Sequence, residues 1–371
     1  MSYDGLQEKD LPLKLRMMNL LWNLGWSVRP NLKLYQYMEG RRTNIQFTDI
    51  DVLAVKILPL QNPIISICSA KSGKESDSSQ IFWLAGVKSY FGASIAYYIR
   101  SKANLLRAKT LCEKLDVIAL NDEQLSLLEE RFMIKPDTSQ FFNMTTYKQI
   151  NDYFKEVKEN KTSLYNYFTE KFWIDPTCNQ LLRIITAIRD VKTLNLSSDC
   201  KLFIKYYLTS LLALPLYKSA YSLIKVPSNM IRTEFDTVLM GGELARIEKE
   251  KIIKACKSFV SEVFKSSKLP TDMAKKGTAI LDHLFKLDYH DDLSDLLINM
   301  VEKYHQSIYT PRMLDGLWYQ LARTPTVIPN IDRVTLPDIP KNQWGYIAKL
   351  TKDILIFVQR IGGFERSEIS I

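Results

Sequence analysis

The chain has 371 residues, too long for one small core, and fits two domains or three. Its composition, 46% hydrophobic and 25% charged, is that of an ordinary soluble globular protein; a formal net charge of +9 suits a polyanionic partner, most simply nucleic acid, although a solvated lysine-rich surface gives the same number. Five widely spaced cysteines (Cys68, Cys112, Cys178, Cys200 and Cys256) without a C-x-x-C pair exclude a zinc ribbon or a disulfide framework and fit reduced thiols in a cytoplasmic compartment.

The polar N-terminus argues against a signal peptide. Asp10 and Pro12 mark a helix start, Leu13, Met17, Leu20, Leu21 and Leu24 recur at helical spacing, and Gly25 is placed to end the helix. Val28, Leu32, Leu34 and Tyr35 predict a strand, and Glu39-Gly40-Arg41 a turn. Residues 45–57 and 63–70, rich in Ile, Val and Leu, predict two central strands. A loop over Ser72–Gln80 precedes a helix over Ile81–Phe91 that Gly92 ends. Then come a strand over Ala93–Ile99, a helix over Lys102–Lys114, a strand over Asp116–Leu120 and a helix that Asp122 can cap. Helix, three strands, helix, strand, helix, strand implies a mixed α/β sheet covered by helices.

Two segments of this sheet carry chemistry: Thr48-Asp49-Ile50-Asp51-Val52-Leu53-Ala54, and Ile65-Ser66-Ile67-Cys68-Ser69-Ala70-Lys71-Ser72-Gly73-Lys74. Side chains two apart on a strand share a face, so Ser69 and Lys71 point the same way and Ala70 points into a packed layer. If Asp51 ends the neighbouring strand, all three converge on one pocket.

Together these segments resemble the core of the PD-(D/E)XK nuclease superfamily, which places an Asp at the end of one strand and a Glu-x-Lys near the end of the next. Asp51 and Lys71 stand in place; the Glu position is Ser69. The resemblance covers about residues 10–130 and, within the superfamily, looks like the restriction-endonuclease-like proteins of prokaryotic defence and CRISPR-associated systems. It implies a restriction-endonuclease-like mixed sheet flanked by helices over residues 1–135. In an active member the Asp and Glu hold Mg²⁺, which activates a water, while the Lys positions that water or stabilises developing charge. A Ser hydroxyl supplies no charge, so metal affinity here should fall. Compensating acids are few: Asp49 lies two residues before Asp51 on the same strand face, Glu75 and Asp77 lie in the following loop, residues 11–29 contain no acid, and none occurs between Asp77 and Glu113.

From about residue 140 the pattern is helical, predicting a large all-α domain over residues 136–371. Tyr147, Ile150, Tyr153, Phe154 and Val157 form one apolar face; Leu181, Ile184, Ile185 and Ile188 form part of a more buried one; Leu244, Ile247, Cys256, Phe259, Val260 and Val263 continue the theme. The run Leu202–Tyr217 carries Lys205 and Pro215, too short and too charged to span a bilayer, and is read as a buried helix. Pro176, Pro227 and Pro270 break helices. The proline-rich stretch 324–342 is a long loop, followed by a last helix over 344–360. His290-Asp291-Asp292, with His283 nearby, has the look of a metal-phosphohydrolase pair but is read as a capped helix start, since the other ligands are missing. Tyr206, Tyr207, Tyr217 and Tyr221 are read as core, and Gly241-Gly242 as a helix break.

The resulting expectation is a nuclease-fold, nucleic-acid-associated subunit of a prokaryotic anti-phage defence complex, with a degenerate metal site at Asp51, Ser69 and Lys71 and protein partners docked on the helical domain. The alternatives are an active Mg²⁺-dependent DNA endonuclease, whose metal ligands would be Asp51 with Asp49 or Glu75, and an interaction scaffold that binds no nucleic acid. No membrane association is expected.

Overall fold

The computed structural model describes residues 4–36, 45–72, 76–101, 106–134, 142–267, 287–334, 336 and 338–370. Its first helix, α1 (Asp4–Asn23), starts before the expected Asp10 and carries Pro12 inside it. Proline is a common helix-start residue; inside a helix it forfeits a backbone bond and its ring crowds the carbonyl four residues back, so the packing of α1 offsets that cost. Gly25 (φ 88°) ends the helix in the left-handed region that favours glycine.

The strands follow as β1 (Ser27–Gln36), β2 (Ile45–Lys56) and β3 (Ile64–Lys71), then α2 (Asp77–Phe91), β4 (Ile95–Arg100), α3 (Leu106–Leu115), β5 (Ile118–Asn121) and α4 (Asp122–Arg131). This is the expected order. The sheet runs β1-β2-β3-β4-β5. β2 is antiparallel to both neighbours, and β3, β4 and β5 are parallel, with α2 and α3 as crossovers. Gly92 (φ 67°) closes α2. The cap of α4 is Asn121, not Asp122: its side chain accepts from Gln124 N–H while the Gln124 side chain accepts from Asn121 N–H. The expected turn at Glu39–Arg41, the break at Pro270 and the domain boundary at 135/136 all lie outside the described residues.

The helical region contains α5 (Met144–Asn160), α6 (Thr162–Asn166), a π-helical turn over Tyr167–Lys171, α7 (Phe172–Ile174), α8 (Thr177–Asp190), α9 (Ser198–Leu223), α10 (Ile231–Leu239), α11 (Glu243–Ser266), α12 (His290–Glu302), α13 (Tyr304–Ser307), α14 (Thr310–Arg323) and α15 (Trp344–Arg360). Buried α9 is its axle. Within it the Lys205 ammonium is matched by Glu368 at 2.6 Å. No helix among the described residues is long and apolar enough to cross a membrane. The loop before α15 is packed, not free: Ile331, Val334, Leu336 and Ile339 are buried. Gly316 admits it, since a Cβ there would come within 2.3 Å of Val334 Cγ1. The apolar stripe of α11 departs from the sequence reading. None of its residues is buried, and Leu244 and Phe259 are 81% and 68% exposed.

One apolar core runs from α1 and the sheet into the helices. At the seam, Arg29 of β1 forms a buried ion pair with Asp315 of α14, donates to Ser210 Oγ at 3.0 Å and lies over the Trp318 and Tyr207 rings. Tyr319 donates to Val28 O at 2.5 Å, and Arg312 to Trp22 O at 2.8 Å. Removing one partner of a buried pair strands the other charge, a cost of about 3–5 kcal/mol. Asp315→Ala should therefore lower the unfolding free energy by that amount and shift the urea midpoint down accordingly, in one transition common to tryptophan fluorescence and far-UV circular dichroism. Separate transitions would mean that the two regions unfold independently.

Candidate functional site

β2 and β3 pair from Lys56 opposite Ile64 to Val52 opposite Cys68, and the ladder stops there. Beyond it each strand continues against its other neighbour, β2 with β1 and β3 with β4. The fork between them holds Asp51 on one side and Ser69 and Lys71 on the other. Asp51 and Lys71 therefore meet, and Ser69 flanks the Ala70 amide that Asp51 accepts.

Asp51 is 3% exposed, and its carboxylate is fully engaged. Oδ1 lies 2.5 Å from the Lys14 ammonium of α1. Oδ2 accepts the Ala70 N–H at 2.8 Å and lies 3.9 Å from Lys71 Nζ. Lys14 is itself buried; burial, the largest single influence, lowers its pKa, but Asp51, through charge and hydrogen bond, together with Tyr147 and Asp49, raises it above the ordinary 10.5. Lys71 is about a quarter exposed, so solvent reaches the pocket on its side. Ser69 Oγ is buried and has no hydrogen-bond partner among the described residues. The neighbouring Cys68 thiol is pushed well up by burial, with Asp51 adding to the shift.

The expected auxiliary acids divide. Asp49 is partly buried, pairs in register with Lys33 of β1, and adds to the negative field on Lys14. Asp77 opens α2 and is committed to Arg100 and, at 2.8 Å, to the Tyr98 hydroxyl. Glu75 lies outside the described residues. Two groups that matter were missed. Asp10 of α1 accepts the Ser72 N–H at 2.5 Å, beside Lys71, and Lys14 is the partner of Asp51. A start at Asp10 made that residue a cap, and a search for acids alone passed over Lys14. The spacing of four residues, which places both on one face of α1, was the available signal.

A divalent ion does not fit this donor set. Mg²⁺ demands several anionic or carbonyl oxygens in near-octahedral array. Among the described residues Asp51 is the carboxylate between the two strands, with Asp10 held at the Ser72 amide; Lys14 covers the first Asp51 oxygen, and Ser69 is neutral. No group of three or more His, Cys, Asp or Glu suited to a metal occurs among the described residues. His290 likewise opens α12 and pairs with Asp236 of α10 at 2.5 Å; His283 lies outside the described residues. Comparison with protein-family models, curated proteins and solved structures found no match.

The Lys14–Asp51 pair stabilises the fold only while Lys14 is charged. Because its folded pKa is raised, that contribution is complete below the unfolded value of 10.5 and fades as pH climbs through the folded value. Lys14→Met should cost about 3–5 kcal/mol at pH 7. Its deficit relative to the parent should narrow only at strongly alkaline pH. A deficit that narrows between pH 6 and 9 would contradict this assignment.

Proposed function

We propose that this chain is a nuclease-fold, nucleic-acid-associated subunit of a prokaryotic defence-type complex whose metal site has been lost. One observation carries the loss: the Lys14 ammonium sits at 2.5 Å on the Asp51 oxygen that a divalent cation would need. The ammonium supplies positive charge to the carboxylate but brings no water to activate. The sheet order, with β2 alone reversed, and the meeting of Asp51 and Lys71 support the nuclease-like reading. The net charge of +9 supports a polyanionic partner, held through phosphate contacts rather than cut.

The second reading, an active Mg²⁺ endonuclease, draws on Asp10, which brings a carboxylate to the Ser72 amide beside Lys71. Plasmid incubation with Mg²⁺ or Mn²⁺ separates the two. The parent chain should leave supercoiled DNA intact, and the double variant Lys14→Ala/Ser69→Glu, which frees Asp51 and restores the second acid, should nick it. Cutting by the parent that Lys71→Ala abolishes would establish the second reading instead.

DNA binding by the parent should weaken steeply with salt, with a log–log slope of about −0.9 per phosphate contacted. A flat titration at low salt with the fold intact would point to a protein-interaction scaffold.

A further inference from the structure

Among the described residues, the buried cations follow one rule. Lys14, Arg29, Lys205 and Arg312 are each paired with a carboxylate, Asp51, Asp315, Glu368 and Asp338 respectively. Lys218 of α9, half-buried, has no carboxylate partner among the described residues. Its ammonium has one hydrogen bond, a 3.2 Å contact to Gln180 Oε1. The Gln180 amide nitrogen donates to Phe172 O at 2.5 Å, which fixes the oxygen toward the lysine. One neutral acceptor answers one of three N–H donors. Burial lowers the Lys218 pKa, and no nearby acid raises it again.

Lys218 stands where two cavities adjoin between the sheet and the helices. The more enclosed, about 250 Å³, has apolar and aromatic walls from Ile65, Phe172, Trp173 and Leu214. The more open, about 440 Å³, shares Asn62, Thr177 and Lys218 with it and adds the hydroxyls of Ser219 and Ser222. No Asp or Glu lines either cavity, and Lys218 is the one charged side chain in both linings.

We propose that the joined cavity around Lys218 binds a small monoanionic carboxylate carried on an apolar or aromatic body. The half-buried ammonium has one neutral acceptor and lines two cavities that hold no acid, and a ligand carboxylate supplies its counter-ion. Asn62 and Thr177, which line both cavities, offer neutral donors for its second oxygen, and the walls take its apolar part. A single positive charge in a poorly solvated place favours a monoanion over a phosphate dianion, whose second charge would go unmatched. The enclosed volume is slightly below the range for drug-sized ligands, which points to a short aliphatic or single-ring acid.

The test uses the full chain at pH 7, followed by thermal shift and by tryptophan fluorescence, for which Trp173 is a reporter in the wall. Benzoate and hexanoate are compared with benzamide, hexanol and inorganic phosphate. The carboxylates should raise the melting temperature and give saturable fluorescence changes, while the neutral molecules and phosphate should not. Lys218→Met, which keeps the volume and removes the charge, should melt no lower than the parent and bind the carboxylates about thirtyfold or more weakly. Absence of saturable carboxylate binding, equal binding of benzamide or phosphate, or unchanged affinity in a folded Lys218→Met protein would overturn the proposal.

Discussion

A carboxylate buried to 3% exposure must be answered by positive charge or be protonated, and Asp51 is answered from two sides. Lys14 reaches it from α1, and Lys71 from the end of β3. The Ala70 amide completes its ligation. That one negative charge ties the first helix to the fork between β2 and β3, and it sets the electrostatics of the pocket. The same cation that makes the carboxylate tolerable inside the protein occupies one of its two oxygens and leaves the other to the Ala70 amide and Lys71.

Charge placement follows the same logic elsewhere. Arg29 is enclosed by Asp315, Ser210 and two aromatic rings, so its cost of burial is offset by a carboxylate, a hydroxyl and ring faces together. Lys205 sits on α9 but is matched from the far end of the chain by Glu368. These pairs join segments distant in sequence, which is how a largely helical region acquires one arrangement rather than several. Against that background half-buried Lys218, lining two cavities that hold no acid, stands out.

Much of this was legible in the sequence where period and composition act locally. The β-rich runs became β2 and β3 within a residue or so of their expected limits, and the final helix begins at Trp344 and ends at Arg360 as expected. The approach of Lys71 to Asp51 followed from the two-residue strand period together with antiparallel pairing. The choice of partner for Asp51 was not legible, because it depends on how α1 docks over the fork. The four-residue spacing puts Lys14 on one face of α1 with Asp10, but no local pattern says that this face docks over the fork. The α11 stripe failed for the complementary reason: its apolar spacing is real, but spacing states that a face is apolar and not what lies against it. Arg29 in a strand, paired with an acid almost three hundred positions away, is invisible to any window-based reading.

The seam at β1 bears on how such a chain can change over time. Val28, Arg29 and Trp22 give their polar groups to α14, and the aromatic rings of Trp22, Phe142 and Tyr319 interlock edge to face across the same junction. A recombination event that exchanged the helical region for another would leave an orphaned guanidinium and a bare apolar sheet face. Innovation by cut-and-paste is therefore closed to this architecture. Its two parts must drift together, each substitution on β1 screened by what α14 can accommodate.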